Sequence, residues 1–385
     1  MATSRKAGAR ATTAAERVTL RELNRRTLAR QMLLTREPTS IATAVGRLVG
    51  LQAQLPGAPY VGLWTRVAGL SRDDLAAAID SRALVRATSM RGTLHLITAD
   101  DYVALRSVIQ PVLSRGMRSV LRERAEGLDL DALTADARRC LADGPRTFEQ
   151  VRGYLAERHP GLDVRAMGYA VRMHLALVQV PGKGAWGFAT EPGFALAESW
   201  IGQPLATSED PRELVRRYLA AFGPAAARDA QTWSGLQGLG ETFEALRPEL
   251  RVLTGEDGRE LFDLPDAPRP SSDVPAPPRF LPEFDNLMLG HTDRTRVVPE
   301  AYRPRIFLSA LRVRATFLID GMVQGAWKIE RTGTKKKIAT LVIEPFAALA
   351  KGDRAALAEE GERLVRFVAR VEDGATAWDL RFEKV

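Results

Sequence analysis

The sequence is poor in the residues that build disulfide bonds and metal sites. It has one cysteine, Cys140, among 385 residues, so no disulfide can form within the chain. Its four histidines, His95, His159, His174 and His291, are scattered, and no Cys/His pair has the spacing of a zinc site. We therefore expect a protein of a reducing compartment that uses neither a metal nor another cofactor.

Long hydrophobic runs and a secretory leader are also lacking. No apolar run approaches the roughly 20 residues that a helix needs to cross a bilayer. The first segment, MATSRKAGARATTAAER, is basic but lacks the apolar stretch that a signal peptide requires. These absences predict a cytoplasmic protein without a membrane partner, whose residues 1–17 form a disordered basic tail.

The familiar catalytic signatures are missing as well. The sequence has no glycine-rich phosphate loop, which argues against nucleotide hydrolysis. It has neither a Gly-x-Ser-x-Gly elbow nor a His/Asp/Ser arrangement. Carboxylates are numerous but spread along the chain, without an obvious acid/base pair. Any catalysis must therefore depend on other groups.

Positive charge is the first signal that is present. The formal net charge is +8, which favours a polyanionic partner, nucleic acid first, over an ordinary basic soluble protein. Lys335, Lys336 and Lys337 lie together near a predicted hairpin tip, and eight arginines crowd one region. Such groups can contact phosphates along a groove, although a solvated helix face and a solubilising edge strand are the alternatives. The eight arginines are Arg82, Arg86, Arg91, Arg106, Arg115, Arg118, Arg122 and Arg124.

Helix and strand signals recur in rounds of three helices followed by a two-stranded ribbon. In the first round, a capping box at Thr19 opens one helix, a second follows Thr39 or Ser40, and residues 73–79 form a third. Residues 91–98 then alternate as a strand. Two similar rounds end in predicted hairpins at 178–188 and 251–264. Helices followed by a wing are the plan of a winged helix-turn-helix.

The predicted fold is therefore α+β and mainly helical. It has three tandem winged helix-turn-helix units and a small α+β C-terminal domain, in which Asp320-Gly321 marks a hairpin turn. A Pro/Ser-rich linker separates the two parts. The predicted boundaries are 18–126, 127–192 and 193–265 for the units, 266–284 for the linker and 285–385 for the last domain.

Two glutamines, Gln52 and Gln54, flank Ala53 at the end of an apolar run. Pro56 and Gly57 are expected to stop the second helix, which places the pair at its C-terminal end. Glutamine does not ionise, so it can act neither as an acid nor as a base. Taken alone, the pair is typical of amides that satisfy the free carbonyls of a helix end.

Five blocks of the sequence carry a family resemblance. They are TLRELNRRTLARQ (19–31), VGRLVGLQAQLPGAPYVGLWTR (45–66), RATSMRGTLHLITADDY (86–102), LPEFDNLMLGHTDR (281–294) and FLIDGMVQGAWKIE (317–330). In this order they resemble the AlkZ/YcaQ family of bacterial winged-helix DNA glycosylases, from about residue 19 to the end. The family's motif is glutamine, an apolar residue, and then glutamine in the AlkZ branch or aspartate in the YcaQ branch. Gln52-Ala53-Gln54 fits the AlkZ branch.

This resemblance implies a function. The three units would form a concave DNA-binding cleft with Gln52 and Gln54 inside it as the catalytic residues. The implied activity is that of a monofunctional glycosylase that hydrolyses the N-glycosidic bond of bulky N7-alkylguanine adducts, unhooks interstrand crosslinks, or does both. Several members protect producers of DNA-alkylating natural products, so self-resistance is the implied role, and general repair is the alternative. The expected partner is double-stranded DNA that carries alkylated purines.

A neutral pair of amides can be sufficient for that reaction. Alkylation at N7 gives the guanine a fixed positive charge, so the base leaves neutral and no acid need protonate it. A general base would add only ~10²–10⁴-fold. Two amides can instead hold a water at the sugar C1′. In extended backbone residues i and i+2 point the same way, whereas in a helix they diverge. The helix is therefore expected to end or distort at Gln52.

Further DNA contacts are expected close to the motif. Arg91, Thr93 and His95 share one side of an alternating strand, and Arg86 and the three lysines add positive charge. A buried, hydrogen-bonded strand histidine is the alternative for His95. Aromatic residues near the motif are expected to lie in the core more often than to stack on bases.

Two other classes of protein compete with the enzyme. One is a winged-helix regulator that reads the major groove, and the other is a damage sensor without activity. A regulator usually dimerises to read paired half-sites, whereas three non-identical units in one chain suit a monomer at a single lesion. A regulator also has no use for Gln52 and Gln54 in a cleft, so this pair favours the enzyme.

Overall fold

The computed structural model describes residues 16–309, 312–332, 338–369 and 377–384. The first part of the chain alternates short helices and strands before one long helix. Its elements are β1 (Glu16–Val18), α1 (Leu20–Arg30), α2 (Ile41–Arg47), β2 (Leu51–Gln52), α3 (Ala58–Trp64), α4 (Arg72–Asp80), β3 (Leu84–Thr88), β4 (Leu94–Thr98) and α5 (Ala99–Leu121). The capping box at Thr19 is present, as predicted.

Strand β1 corrects the prediction for the N-terminal tail. Residues 1–15 lie outside the described residues, but Glu16 and Arg17 belong to a strand that runs parallel to residues 253–255. Val18 in this strand is fully buried against Leu23, Leu253 and Leu261. Because Val18 is an anchor in the core, the two residues before it are ordered with it.

The middle of the chain is mainly helical. Its elements are α6 (Leu130–Leu141), β5 (Arg146–Thr147), α7 (Phe148–Arg158), α8 (Val164–His174), β6 (Leu177–Gln179), β7 (Gly193–Leu196), α9 (Ala197–Ile201), α10 (Arg212–Phe222), α11 (Ala227–Ser234), α12 (Leu239–Leu246), β8 (Arg251–Gly255) and β9 (Glu260–Asp263). The predicted hairpin at 178–188 is partly wrong. Its second strand begins only at Gly193, because a short 3-10 turn at Ala185–Gly187 occupies the expected strand positions.

One six-stranded sheet joins the first two predicted units. Its order is β2-β4-β3-β6-β7-β5. The junction is the antiparallel pair of β3 and β6, in which Arg86 lies opposite Gln179. The two ribbons therefore form one continuous surface, and β2, which carries Gln52, is its edge strand.

The C-terminal part is built on a second, five-stranded sheet. Its elements are β10 (Arg279–Leu281), α13 (Asn286–Leu289), α14 (Arg303–Ile306), β11 (Phe307–Leu308), β12 (Arg312–Val313), β13 (Thr316–Ile319), β14 (Met322–Thr332), β15 (Ile338–Pro345), α15 (Lys351–Val368) and β16 (Ala377–Phe382). The sheet order is β10-β13-β14-β15-β16. The predicted linker is shorter than expected, since β10 pairs with β13. Asp320 and Gly321 form the predicted turn, with φ of 48° and 78°.

The largest core lies around α5. This 23-residue helix packs against α8, and its apolar residues share a cluster with those of α10, α11 and α12. Within that cluster Tyr218 stacks on Phe222, and both rings pack at a tilt against Trp233. The mixture of helix and strand confirms the α+β class, whereas the number of winged-helix units stays a prediction. No helix in the described part of the chain is both long and apolar enough to cross a membrane.

Candidate active site

The glutamine motif lies in extended backbone at the edge of the six-stranded sheet. Gln52 pairs with His95 across β2 and β4. The pairing continues one residue further, since the Ala53 N–H donates to the carbonyl of Leu94 at 2.7 Å. The prediction that the helix ends before the motif is therefore confirmed.

The cause of the helix end differs from the prediction. α2 ends at Arg47, and the chain then turns through Val49 and Gly50, whose φ values are 54° and 89°. A Cβ at Gly50 would also lie 3.2 Å from a β4 carbonyl oxygen. The turn at Gly50 stops the helix, so the prediction that Pro56 and Gly57 stop it is wrong. Those two residues precede α3 instead.

An asparagine from the C-terminal part satisfies the end of α2. The Asn286 amide donates to the carbonyls of Leu48 and Gly50, at 3.3 and 2.8 Å. The carbonyl of Leu48, the C-cap residue, is one of those that a helix end leaves free, and the carbonyl of Gly50 lies in the turn that follows. Asn286 thus has the capping role that was the alternative for Gln52 and Gln54, and it fixes the backbone directly before the motif. Sequence analysis did not assign it, although it lies within one of the five blocks.

Gln52 is held by an arginine from the 3-10 turn Met90–Gly92, which connects β3 and β4. Its side chain is 6% exposed, and its Oε1 accepts a hydrogen bond from Nη2 of Arg91 at 2.8 Å. The other terminal nitrogen of Arg91 donates to the carbonyl of Trp233, at the end of α11. Because a guanidinium can only donate, the oxygen of the Gln52 amide must face Arg91.

The side-chain oxygen of Gln54, like that of Gln52, accepts a hydrogen bond from the protein, but Gln54 is exposed. Its Oε1 accepts from the backbone N–H of Leu94 at 3.3 Å. In both side chains the amide oxygen therefore faces a protein donor. The NH₂ groups are directed away from those donors, and each oxygen keeps one further lone pair.

Arg86, on β3, binds the backbone of the motif. Its guanidinium donates twice to the carbonyl of Ala53, at 3.0 and 2.8 Å, and once to Oε1 of Gln179 at 2.5 Å. It lies over the ring of Phe188 and is only 5% exposed. Arg86 was predicted to bind DNA. That contact stays a prediction, and in the structure the buried side chain supports the backbone between the two glutamines.

His95 and Thr93 are bonded to their own strand. The Nδ1–H of His95 donates to the carbonyl of Thr93 at 3.0 Å, and the Thr93 hydroxyl donates to the carbonyl of Met90 at 3.1 Å. His95 is 1% exposed, so it has the burial and the hydrogen bond that the alternative describes, and its DNA contact stays a prediction. Thr93 is half-buried beside the motif, and its DNA contact stays a prediction.

The protonation states around the motif are fixed near neutral pH. Burial and the charge of Arg91 lower the pKa of His95 to about 3. Burial and the charge of Arg294 lower the pKa of Arg91 to about 10. Burial and the charge of Arg172 lower the pKa of Arg86 to about 10. At pH 7 the imidazole is neutral, both guanidinium groups are charged, and the glutamines cannot ionise.

Most of the predicted arginine cluster is engaged by protein groups. Besides Arg86 and Arg91, four of its members bond to carbonyl or side-chain oxygens: Arg82 to Trp200, Arg106 to Gln110, Arg115 to Gly235 and Arg124 to Asp163. Of the eight arginines in this cluster, Arg118 and Arg122 are the two whose side chains have neither a hydrogen bond nor an ion pair with the described residues. The cluster is thus mainly structural.

One basic residue that sequence analysis missed is Arg172 on α8. The charge of Arg172 lowers the pKa of Arg86, and burial lowers the pKa of Arg172 itself. Its Nε is buried without a hydrogen-bond partner among the described residues. Nearby, His174 has its pKa lowered by burial and by the charges of Arg106 and Arg118. This side of the motif therefore has positive charge in excess. Arg172 is an isolated arginine in the sequence, so no local pattern could have singled it out.

An aromatic loop covers the segment after the motif. Trp186, from the 3-10 turn between β6 and β7, packs on Tyr60 with ring centroids 5.0 Å apart. A Cβ on Gly57 would lie 2.9 Å from the Trp186 ring, so only glycine allows this approach. Arg72 lies over the ring of the same indole, 3.9 Å from its centroid. Trp186 thereby contacts Gly57 and Tyr60, in the segment that follows Gln54, and Arg72 of α4.

Two predictions about charged groups concern other parts of the molecule. Lys335, Lys336 and Lys337 lie outside the described residues, between β14 and β15. Within the residues that the structure describes, no group of three or more histidine, cysteine or carboxylate side chains could hold a metal ion.

Comparisons with known proteins agree on one family. The family model of AlkZ-like DNA glycosylases matches residues 45–367. An interstrand DNA cross-link repair glycosylase of Streptomyces sahachiroi is 27% identical over 338 residues, which is 78% of this chain and 85% of that protein. The solved structure of the Streptomyces sahachiroi DNA glycosylase AlkZ superposes with a TM-score of 0.76 at 22% identity. The superposition covers 95% of this chain and 100% of the solved AlkZ chain.

Proposed function

The chain belongs to the AlkZ-like DNA glycosylase family, and from this premise we propose that it releases bulky N7-alkylguanines and unhooks interstrand crosslinks in double-stranded DNA. It is a DNA glycosylase, so a purely regulatory role is excluded. The name of the Streptomyces relative supports crosslinks as substrates. N7-alkylguanine is the substrate that the family resemblance implies, and the neutral motif supports that choice.

The observation that carries this proposal is a reaction site without a titratable catalyst. Gln52 and Gln54 have extended backbone between them, their amide oxygens face Arg91 and the Leu94 N–H, and His95 behind them is a very weak base. Such a site cannot protonate a leaving base. It suits a substrate whose base already carries a positive charge, and N7-alkylated purines are that class.

The reaction can then proceed with the amides as holders of a water. The C1′–N9 bond breaks, and its electron pair neutralises the cationic base. The water oxygen bonds to C1′, and its proton leaves to solvent. N–H groups of Gln52 and Gln54, together with the second lone pair of each amide oxygen, are the available contacts for that water. Unmodified purines should not react, because their neutral base is a poor leaving group.

The rest of the proposal concerns how DNA is bound. We place DNA along three tandem winged-helix units in a concave cleft, with Arg172, Arg118, Thr93 and the lysines of the β14–β15 hairpin on phosphates. Three units in one chain suit a monomer. The enzyme is proposed to work at the nucleoid, in self-resistance to a DNA-alkylating natural product. Survival of a sensitive host that expresses the wild type or the Gln52→Ala variant under such an agent tests that role.

A single-turnover assay without added metal tests the enzymatic proposal. One duplex carries a single N7-methylguanine and another carries a nitrogen-mustard crosslink. Released base and alkali-labile abasic sites are the readout. We expect release by the wild type and a loss of about 10²-fold or more in Gln52→Ala and in Gln54→Ala, because a misplaced water costs on that order.

A matched control and the contrary outcomes complete this test. Gln203→Ala, which removes an exposed amide after α9, should keep the wild-type rate. Tight binding to damaged DNA without release would replace the proposal by a damage sensor. Release from the methylated duplex alone would restrict the substrate to monoadducts. Equal rates in the wild type and both motif variants would remove the glutamines from the mechanism.

A further inference from the structure

Arg91 occupies a backbone conformation that needs an explanation. It lies in the 3-10 turn Met90–Gly92 with φ of 54° and ψ of 13°. Residues other than glycine rarely adopt this left-handed region, and such outliers persist where the surroundings fix them, often at functional sites. Gly92, which follows, also has a positive φ of 69°. The turn therefore places the Arg91 side chain in a direction that a regular strand would not allow.

That direction takes the guanidinium between two distant parts of the chain. It donates to Oε1 of Gln52 at 2.8 Å and to the carbonyl of Trp233. These acceptors belong to β2 and to the end of α11. Trp233 is itself buried in the largest core. Arg91 is thus a bridge from the candidate catalytic amide to a rigid helix end.

The backbone of Arg91 is packed as closely as its side chain. Gly235, in the turn after α11, has a φ of 84°, and a Cβ there would lie 3.2 Å from the Arg91 Cα and 2.8 Å from Cγ1 of Val112. Arg115 donates to the carbonyl of the same Gly235. α11 and α5 therefore enclose the turn that carries Arg91, which explains why its conformation persists.

We infer that Arg91 is a positioning residue, not a phosphate ligand. It fixes the Gln52 amide with its oxygen turned towards the protein and its NH₂ group available to the reacting water. It also makes the position of this amide depend on α11, a helix of the third predicted unit. The inference rests on the proposed function and adds a role that differs from the predicted DNA contact.

Lysine substitution separates the two roles of Arg91. Arg91→Lys keeps the positive charge but loses the planar fork that reaches two acceptors at once. A positioning role predicts that the single-turnover rate at saturating enzyme falls by about 10²-fold, while the Kd for damaged DNA and its salt dependence stay as in the wild type. A phosphate ligand would instead tolerate lysine. Arg124→Lys, on the exposed ion pair with Asp163, is the matched control and should keep the wild-type rate.

A double-mutant cycle shows whether Arg91 acts through Gln52. If it does, Arg91→Lys combined with Gln52→Ala should be no slower than Gln52→Ala alone. Gly235→Ala approaches Arg91 from the other side and should also lower the rate without adding to Arg91→Lys. Thermal unfolding of each variant identifies any that fails to fold. If Arg91→Lys fails, Gly235→Ala carries the test, and if Gly235→Ala fails, Arg91→Lys carries it.

Three results would overturn the inference. The first is a wild-type rate in Arg91→Lys. The second is an Arg91→Ala variant whose salt dependence of DNA binding falls by about one charge, as for a lost phosphate contact. The third is full additivity in the double-mutant cycle. Absence of base release by the wild type is a different failure, because it removes the proposed function and the inference with it.

Discussion

At the scale of single residues, the motif combines neutral amides with cations that are already bonded to protein. Arg86 holds the backbone of Ala53 and Arg91 holds the side chain of Gln52, each through hydrogen bonds shorter than 3.1 Å. A charged donor makes a stronger hydrogen bond than a neutral one. The two arginines therefore fix the glutamines without supplying a proton that the reaction could use.

This arrangement predicts a rate that does not depend on pH around neutrality. The pKa of His95 is about 3 and those of Arg86 and Arg91 are about 10. The single-turnover rate, after subtraction of uncatalysed release, should be constant from about pH 5 to about pH 9. It should fall near pH 10, because a neutral Arg91 keeps N–H groups but no longer makes the charge-assisted hydrogen bond that orients Gln52. A titration with a midpoint near 6.5 would instead indicate a histidine as a general base.

At the scale of helices and strands, the sequence predicts where elements begin better than where they end. The capping box at Thr19 marked a helix start correctly, because such caps are local patterns. The end of α2 depends on Val49, a β-branched residue with a positive φ, and on Asn286 from more than 200 positions away. No local signal reports a tertiary hydrogen bond of that kind.

The same limit applies to the side chains of the candidate site. Gln52 and Gln54 were identified through the resemblance, and their extended backbone followed from the need for both to point the same way. Whether Arg86 and His95 are buried depends on the pairing of β3 with β4 and β6. A period of two in the sequence gives a face, but it does not tell which face the rest of the fold covers.

Helix α8 gives a prediction about DNA binding. Arg172 brings an unpaired charge near Arg86, and burial disfavours its charged form. Arg172→Gln should therefore raise the unfolding temperature while it weakens binding to duplex DNA. The slope of log K against log salt concentration should fall by about one, as expected when one phosphate contact is lost. Calorimetry and a salt series of binding isotherms measure both effects.

The control for Arg172 is a surface arginine whose charge is already compensated. Arg124 is paired with Asp163 at 2.9 Å, so Arg124→Gln should leave the salt slope unchanged. Equal slopes for the Arg172 variant and the wild type would show that α8 does not contact phosphate. A lower unfolding temperature would show that Arg172 is needed for folding.

At the scale of the whole molecule, buried ion pairs connect the N-terminal elements to β9 and to the C-terminal part. Arg30 pairs with Asp263 at 2.7 Å, and Arg66 pairs with Asp285 at 2.8 Å, all four side chains being inaccessible to solvent or nearly so. Arg66 also donates to the carbonyls of Gln31 and Gly62. Asp285 directly precedes Asn286, which caps α2 before the glutamine motif. The C-terminal part therefore contributes to the geometry of the candidate site.

The Arg66–Asp285 pair gives the last prediction. Asp285→Asn should lower the free energy of unfolding by about 3–5 kcal/mol, because it leaves a buried guanidinium without its counter-charge. The double variant Arg66→Met with Asp285→Leu should recover much of that loss, since both charges are then absent. Denaturant unfolding measures the two changes. If the pair also sets the position of Asn286, base release by the folded Asp285→Asn variant should be slower than that of the wild type at a temperature well below its unfolding. An unchanged rate in that variant would mean that Asn286 caps α2 independently of the ion pair.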